Sequence, residues 1–262
     1  MSDADRLQAI DDGGVRTITI DRPESKNALT FAMRARMCEL LAEAEQDPGT
    51  TAVILTGVDP VFSAGVDFKE MSQPSTMWNP YTAQFALNPG RALRAMATPV
   101  ICAVNGPCVS GGLEIALSSS FVVASERASF ADTHARLGVV ATWGLTALLP
   151  RAVGIRMARE MSITGNFVDA EQALSIGLVN HVVAHEQLLP LARQLASDVA
   201  STPALAEVVR LYARGEGLSL AEALALETES TSHRAFDREA FGAAGRATAR
   251  RGHAALGHEF RF

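Results

Sequence analysis

Two short runs constrain this chain more than any other feature. AVILTG (52–57) and PVICAVNG (99–106) are apolar at nearly every position, without polar alternation. A strand with one wet face alternates with a period of two, whereas a strand covered on both faces does not. Both runs are short and bounded by turn residues, so they predict buried strands. VRTITI (15–20) is β-branched and alternating, and FVVAS (121–125) and LVNHVV (178–183) add further strands.

Helical patterns lie between and after these strands. Thr30 caps a helix through FAMRARMCELLAEAEQ, with Phe31, Met33, Met37, Leu40, Leu41 and Ala44 at helical spacing. LTALLPRAVG and IRMAREMSITG read as short helical pieces broken by Pro150, Gly154 and Gly165. Asp169, with Gln172 three residues on, opens another helix, and Gly177 can close it. MSQPSTMWNPYTAQF (71–85) reads as a loop. From Glu186 onward the chain is almost wholly helical. The fold class is therefore α/β, with a core over 1–200, a helical C-terminal segment over 201–262, and parallel right-handed crossovers.

The 262 residues suit one large domain, or one with an appendage, and 48% hydrophobic content can fill its core. A net charge of −6 gives no electrostatic reason to bind nucleic acid or an anionic membrane. No apolar run approaches the ~20 residues that span a bilayer. The N-terminus lacks the basic start and apolar core of a signal peptide. Cys38, Cys102 and Cys108 have no zinc-ligand spacing, so reduced thiols and a cytoplasmic location are expected, without a metal.

Two segments carry chemistry. In VFSAGVDF (61–68), Ser63, Ala64 and Gly65 follow a strand and let backbone N–H groups approach a ligand, or simply make a tight turn. In NGPCVSGGLEIAL (105–117), a strand runs into paired glycines that open a helix, where free N–H groups favour negative charge. Glu114 lies in its first turn. Helix polarity favours the ionised form, which suits a base, although Glu114 equally well complements the dipole. Other motifs fail: Gly112 sits where a P-loop has lysine, no GxGxxG follows the first strand, and Ser63, Ser110 and His134 lack a G-x-S-x-G elbow. The two segments together suggest two N–H groups around one oxygen, an oxyanion hole suited to a thioester enolate.

With these stretches in view, the chain resembles the crotonase, or enoyl-CoA hydratase/isomerase, superfamily. IDRPESKNAL, DPGTTAVILTG after its helix, VFSAGVDFKE, PVICAVNGPCVSGGLEIAL and VDAEQALSIGLVNHVV occur in the family's order across residues 10 to 200. The resemblance implies a spiral of ββα turns, C-terminal helices that build trimers or hexamers, and an acyl-CoA thioester substrate, with coenzyme A as part of the substrate and no separate cofactor. It places the oxyanion donors on Val66 and Gly111. It places coenzyme A near Lys26, Ala28, Ala64, Gly65, Asp67 and Lys69. Without it, both lysines read as ordinary surface charges.

Family hydratases flank a water with two glutamates. Glu114 matches one, and His134, in FADTHARLG, stands where the other would be. The chain also has SSSF (118–121) for a usual CD pair, ATW (141–143) for a Pro/Gly-rich loop, and a departing LGHEFRF end. Three readings follow. His134 supports Glu114 in hydration or a related addition or elimination; Glu114 acts alone while His134 shapes the pocket; or the protein binds acyl-CoA without turnover. Isomerase, thioester hydrolase and lyase chemistry are alternatives. Trp143 either shortens the acyl pocket or packs under the following helix.

Overall fold

The computed structural model describes residues 3–73, 87–232 and 235–256. Most of the loop expected over 71–85, and the chain beyond 256, lie outside the described residues. The strands are β1 (Leu7–Asp12), β2 (Val15–Ile20), β3 (Ala52–Gly57), β4 (Val100–Val104), β5 (Cys108–Val109), β6 (Phe121–Ser125), β7 (Ser129–Ala131), β8 (Val168–Asp169) and β9 (His181–Val183). The helices before β9 are α1 (Phe31–Gln46), α2 (Phe68–Met71), α3 (Pro89–Arg94), α4 (Gly111–Ser118), α5 (Leu145–Val153), α6 (Ile155–Thr164) and α7 (Ala170–Ser175). Four more follow it: α8 (Leu188–Ala200), α9 (Leu205–Gly215), α10 (Leu220–Ser232) and α11 (Arg238–Leu256).

The larger sheet has the order β1-β2-β3-β4-β6-β9 and is parallel except for the β1–β2 hairpin. A smaller sheet, β5-β7-β8, is extended by single bridges from Ser63 to Cys108 and from Leu29 to Val66. Each of β3, β4 and β6 thus feeds a short extended segment of the second layer before the chain returns. This is the repeating turn of the spiral that the resemblance implies.

The continuous apolar runs are explained by two covered faces. Val53 and Leu55 of β3, and Val100, Cys102 and Val104 of β4, pack into one core with Met33, Met37, Leu40 and Leu41 of α1. The alternate residues Ala52, Ile54, Ile101 and Ala103 pack into a second core against Leu188, Ala192 and Ala196 of α8. A strand between two apolar layers has no polar side to show.

Helix boundaries follow local chemistry. Thr30 Oγ1 accepts from Met33 N at 3.3 Å, and Asp169 Oδ1 accepts from Gln172 N at 2.8 Å, as their capping positions require. Three readings change. β1 was not foreseen, because only Leu7 in it is buried and no alternation marks it. Phe31 is 44% exposed, since the inner face of α1 carries Arg34 instead. Pro150 does not break its helix: α5 runs through it and Pro150 O still accepts from Gly154 N, so one intrahelical bond is forgone. The chain divides into two compact units, 1–213 and 214–262. The first holds both sheets and the cavity-lining residues from Glu24 to Trp143; the second holds α10 and α11.

Candidate active site

The site begins at the start of α4. Ser110 adopts φ 50°, ψ −107°, a positive-φ conformation costly for a residue with a Cβ. Its hydroxyl accepts from Thr133 N at 2.9 Å and lies 2.7 Å from Thr133 Oγ1, tying the strained turn to the segment that carries His134. Gly111 follows as the first helical residue, so its N–H has no intrahelical acceptor.

Gly65 approaches from the other segment with φ +87°. A Cβ there would lie 2.7 Å from Gly111 N and 3.1 Å from Val109 O. A Cβ on Gly111 would lie 3.3 Å from Val66 N. The two small-residue stretches are therefore in backbone contact. Leu29 N donates to Gly65 O and Asp67 N donates to Leu29 O, which leaves the Val66 N–H directed away from that bridge. Neither Val66 N nor Gly111 N meets a protein acceptor among the described residues.

Glu114 projects one turn into α4 and is 2% exposed. Its Oε1 accepts from Trp143 N at 2.6 Å and Leu145 N at 3.3 Å, which leaves Oε2 toward the cavity. Burial pushes this carboxyl above the ordinary carboxylate range; the electrostatic influence of the His134 ring, whenever it carries charge, and the two backbone N–H groups oppose the shift without cancelling it. Helix polarity had suggested the opposite direction. Desolvation of a side chain this enclosed outweighs a half-charge at a helix end.

His134 faces Glu114, with Nε2 3.6 Å from Oε2. Its other ring nitrogen, Nδ1, lies 2.7 Å from Asp132 Oδ1, which also accepts the His134 backbone N–H at 3.1 Å. Asp132 is buried. Burial alone would raise its carboxyl, but hydrogen bonds from the His134 ring, Ser162 and the His134 N–H outweigh it and hold Asp132 below the ordinary range.

A cavity of about 360 Å³ joins these groups. Val66, Gly111, Glu114 and His134 line it, as do Lys26, Ala28, Ala64, Asp67 and Lys69; Gly65 lies directly behind the Gly111 backbone. Lys26 and Lys69 are exposed, so both can present ammonium groups at a wet mouth. The Asp67 carboxylate is occupied: it caps α2 through Lys69 N and Glu70 N and pairs with Arg22. Trp143 is 2% exposed and packs in the core, and its indole also forms cavity wall beside Gly111. Among the described residues no His/Cys/Asp/Glu cluster has the geometry for a metal.

Four functional candidates were missed from sequence. Asp132 and Thr133 lie within FADTHARLG, and a D-x-H spacing was the available signal. Ser110 gave none, because positive φ at serine is invisible in sequence. Arg34, 2% exposed, lines the cavity with its guanidinium 5.3 Å from the Phe31 ring centre and 6.0 Å from that of Trp143. An arginine at helical spacing among buried methionines was its signal.

Comparison with known proteins agrees with this architecture. The profile of the enoyl-CoA hydratase/isomerase family matches residues 11–244. The short-chain-enoyl-CoA hydratase of Clostridium acetobutylicum is 36% identical over 222 residues, 84% of this chain and 85% of that protein. A probable peroxisomal enoyl-CoA hydratase of Arabidopsis thaliana is 34% identical over 83% of this chain and 82% of its own length. The crystal structure of an enoyl-CoA hydratase from Mycobacterium tuberculosis superposes with a TM-score of 0.72 at 45% identity, covering 86% of this chain and 96% of that one. The chain thus belongs to the enoyl-CoA hydratase/isomerase family and has the crotonase fold.

Proposed function

We propose that the protein is an enoyl-CoA hydratase, a hydro-lyase that adds water across the double bond of a 2-enoyl-CoA or removes it. The observation that carries this reading is the meeting, in one cavity, of two unengaged backbone N–H groups with a carboxylate–imidazole pair. Val66 N–H and Gly111 N–H would donate to the thioester oxygen, which gains charge as the enolate forms. Hydroxide adds to the β carbon and a proton to the α carbon. Glu114 and His134 share the two transfers, one taking the proton lost by water and the other supplying the α proton. Lys26 and Lys69 at the mouth suit the phosphates of coenzyme A, and the backbone from Ala64 to Asp67 with Ala28 suits its adenine end. The coenzyme is part of the substrate, and the chemistry uses no resident cofactor or metal.

The same reading includes assembly as a homotrimer or hexamer, a role in fatty-acid metabolism and a cytoplasmic location. Tyr212, Leu220 and Phe241 of the C-terminal helices are each more than 60% exposed, the kind of apolar surface that assembly covers. The three cysteines are free thiols, as a reducing compartment maintains. No helix among the described residues is long and apolar enough to cross a membrane.

Steady-state hydration of crotonyl-CoA tests the reading. The parent should turn over, and Glu114→Gln should lose about 10²- to 10⁴-fold in kcat. Tight binding of CoA esters with no turnover of short, long or aromatic enoyl-CoAs would identify a binder instead.

A further inference from the structure

Glu114 and His134 account for the reacting end, but they leave a buried ionised carboxylate unexplained. Asp132 is 3% exposed and directs one oxygen at the far side of the His134 ring. We propose that Asp132 is a positioning residue: its carboxylate holds the Nδ1 proton of His134 and so keeps a bare Nε2 aimed at Glu114. This rests on the reading of Glu114 and His134 as the acid–base pair.

An ionised carboxylate can only accept, so the 2.7 Å contact requires hydrogen on Nδ1. In the neutral ring Nε2 is then without hydrogen, and its lone pair points at Glu114 Oε2, 3.6 Å away. That separation exceeds a direct hydrogen bond, which suits two groups that exchange protons with a reactant rather than only with each other. The carboxylate is kept ionised by the hydrogen bonds that lower its pKa, including that from Ser162 on α6. The ring is fixed from its own backbone as well. Thr133 is held by the Ser110 hydroxyl, and His134 N donates to the same Asp132 oxygen that meets Nδ1. Ser110 is the residue before Gly111, so the imidazole and the Gly111 N–H are referenced to one strained turn.

Asp132→Ala removes the acceptor that meets Nδ1, so nothing holds hydrogen on that nitrogen and the ring is free to carry it on Nε2. ¹⁵N NMR of labelled histidine should show His134 protonated on Nδ1 in the parent and shifted toward Nε2–H in Asp132→Ala. The variant should lose about 10²-fold in kcat on crotonyl-CoA with KM little changed. In a His134→Gln background, Asp132→Ala should cost little further in kcat, because its effect passes through the ring. A neutral parent ring protonated on Nε2 overturns the proposal without need of any variant. So does an unchanged tautomer in Asp132→Ala, or a changed tautomer with unchanged kcat. If the parent hydrates no enoyl-CoA, the hydratase reading fails, while the tautomer still decides whether Asp132 orients the ring.

Discussion

Glu114 is held in a way that serves chemistry at a cost to stability. Two backbone N–H groups grip one oxygen, and burial disfavours charge on the other. A carboxyl whose pKa is higher in the folded state favours folding while protonated, below its unfolded pKa. That benefit is lost as pH rises through the folded value. Ionised Glu114 is therefore a liability on the alkaline side that glutamine does not share, and glutamine keeps an Oε1 to accept the same two N–H groups. Thermal unfolding should show Glu114→Gln raising Tm at about pH 8, with the gain shrinking as pH falls toward about 4. A gain that grows on acidification would show that burial is not what dominates this carboxyl. That His134 would lie beside Glu114 was legible only through the family's pattern. The residue that gives it direction, Asp132, was not, because two positions apart on a chain says nothing of where either side chain points.

At the level of elements, the site depends on backbone approach. Gly65 and Gly111 are in contact because neither has a side chain, and Gly112 is equally confined, since a Cβ there would lie 2.4 Å from Ser63 O. Gly65→Ala would push a methyl toward Gly111 N and force alanine into positive φ. Its stability should fall by about 1–2 kcal/mol, and kcat/KM by about 10²-fold or more through the distorted donor pair. Normal kcat/KM in a folded Gly65→Ala would remove these N–H groups from the mechanism. Most elements were legible, because a strand covered on both faces and a capped amphipathic helix leave clear patterns. β1 left none, since five of its six residues are exposed. Pro150 was misread because a proline within a helix forfeits one bond, which packing of Leu145 and Leu149 in the core offsets. The oxyanion candidates were legible as small residues after strands. Their meeting was not, because it depends on how one turn of the spiral sets against the next.

At the scale of the whole molecule, the expected trimer or hexamer predicts a light-scattering mass about three or six times the 27.8 kDa chain. Ile163 and Phe167 in the first unit, and Leu220 and Phe241 in the second, are exposed apolar side chains that such assembly would cover. A stable monomer at working concentration would contradict that expectation. A hydratase in which His134 has a role of its own behaves differently from one decayed by loss of a second glutamate. Crotonyl-CoA hydration in the parent and in His134→Glu separates the two. A glutamate at that position would set a carboxylate beside the buried Asp132 carboxylate and discard the Asp132–His134 hydrogen bond. The parent should be active, and kcat should fall by about 10-fold or more in the variant. A parent without activity, with hydration appearing or rising in His134→Glu, would instead show a decayed site.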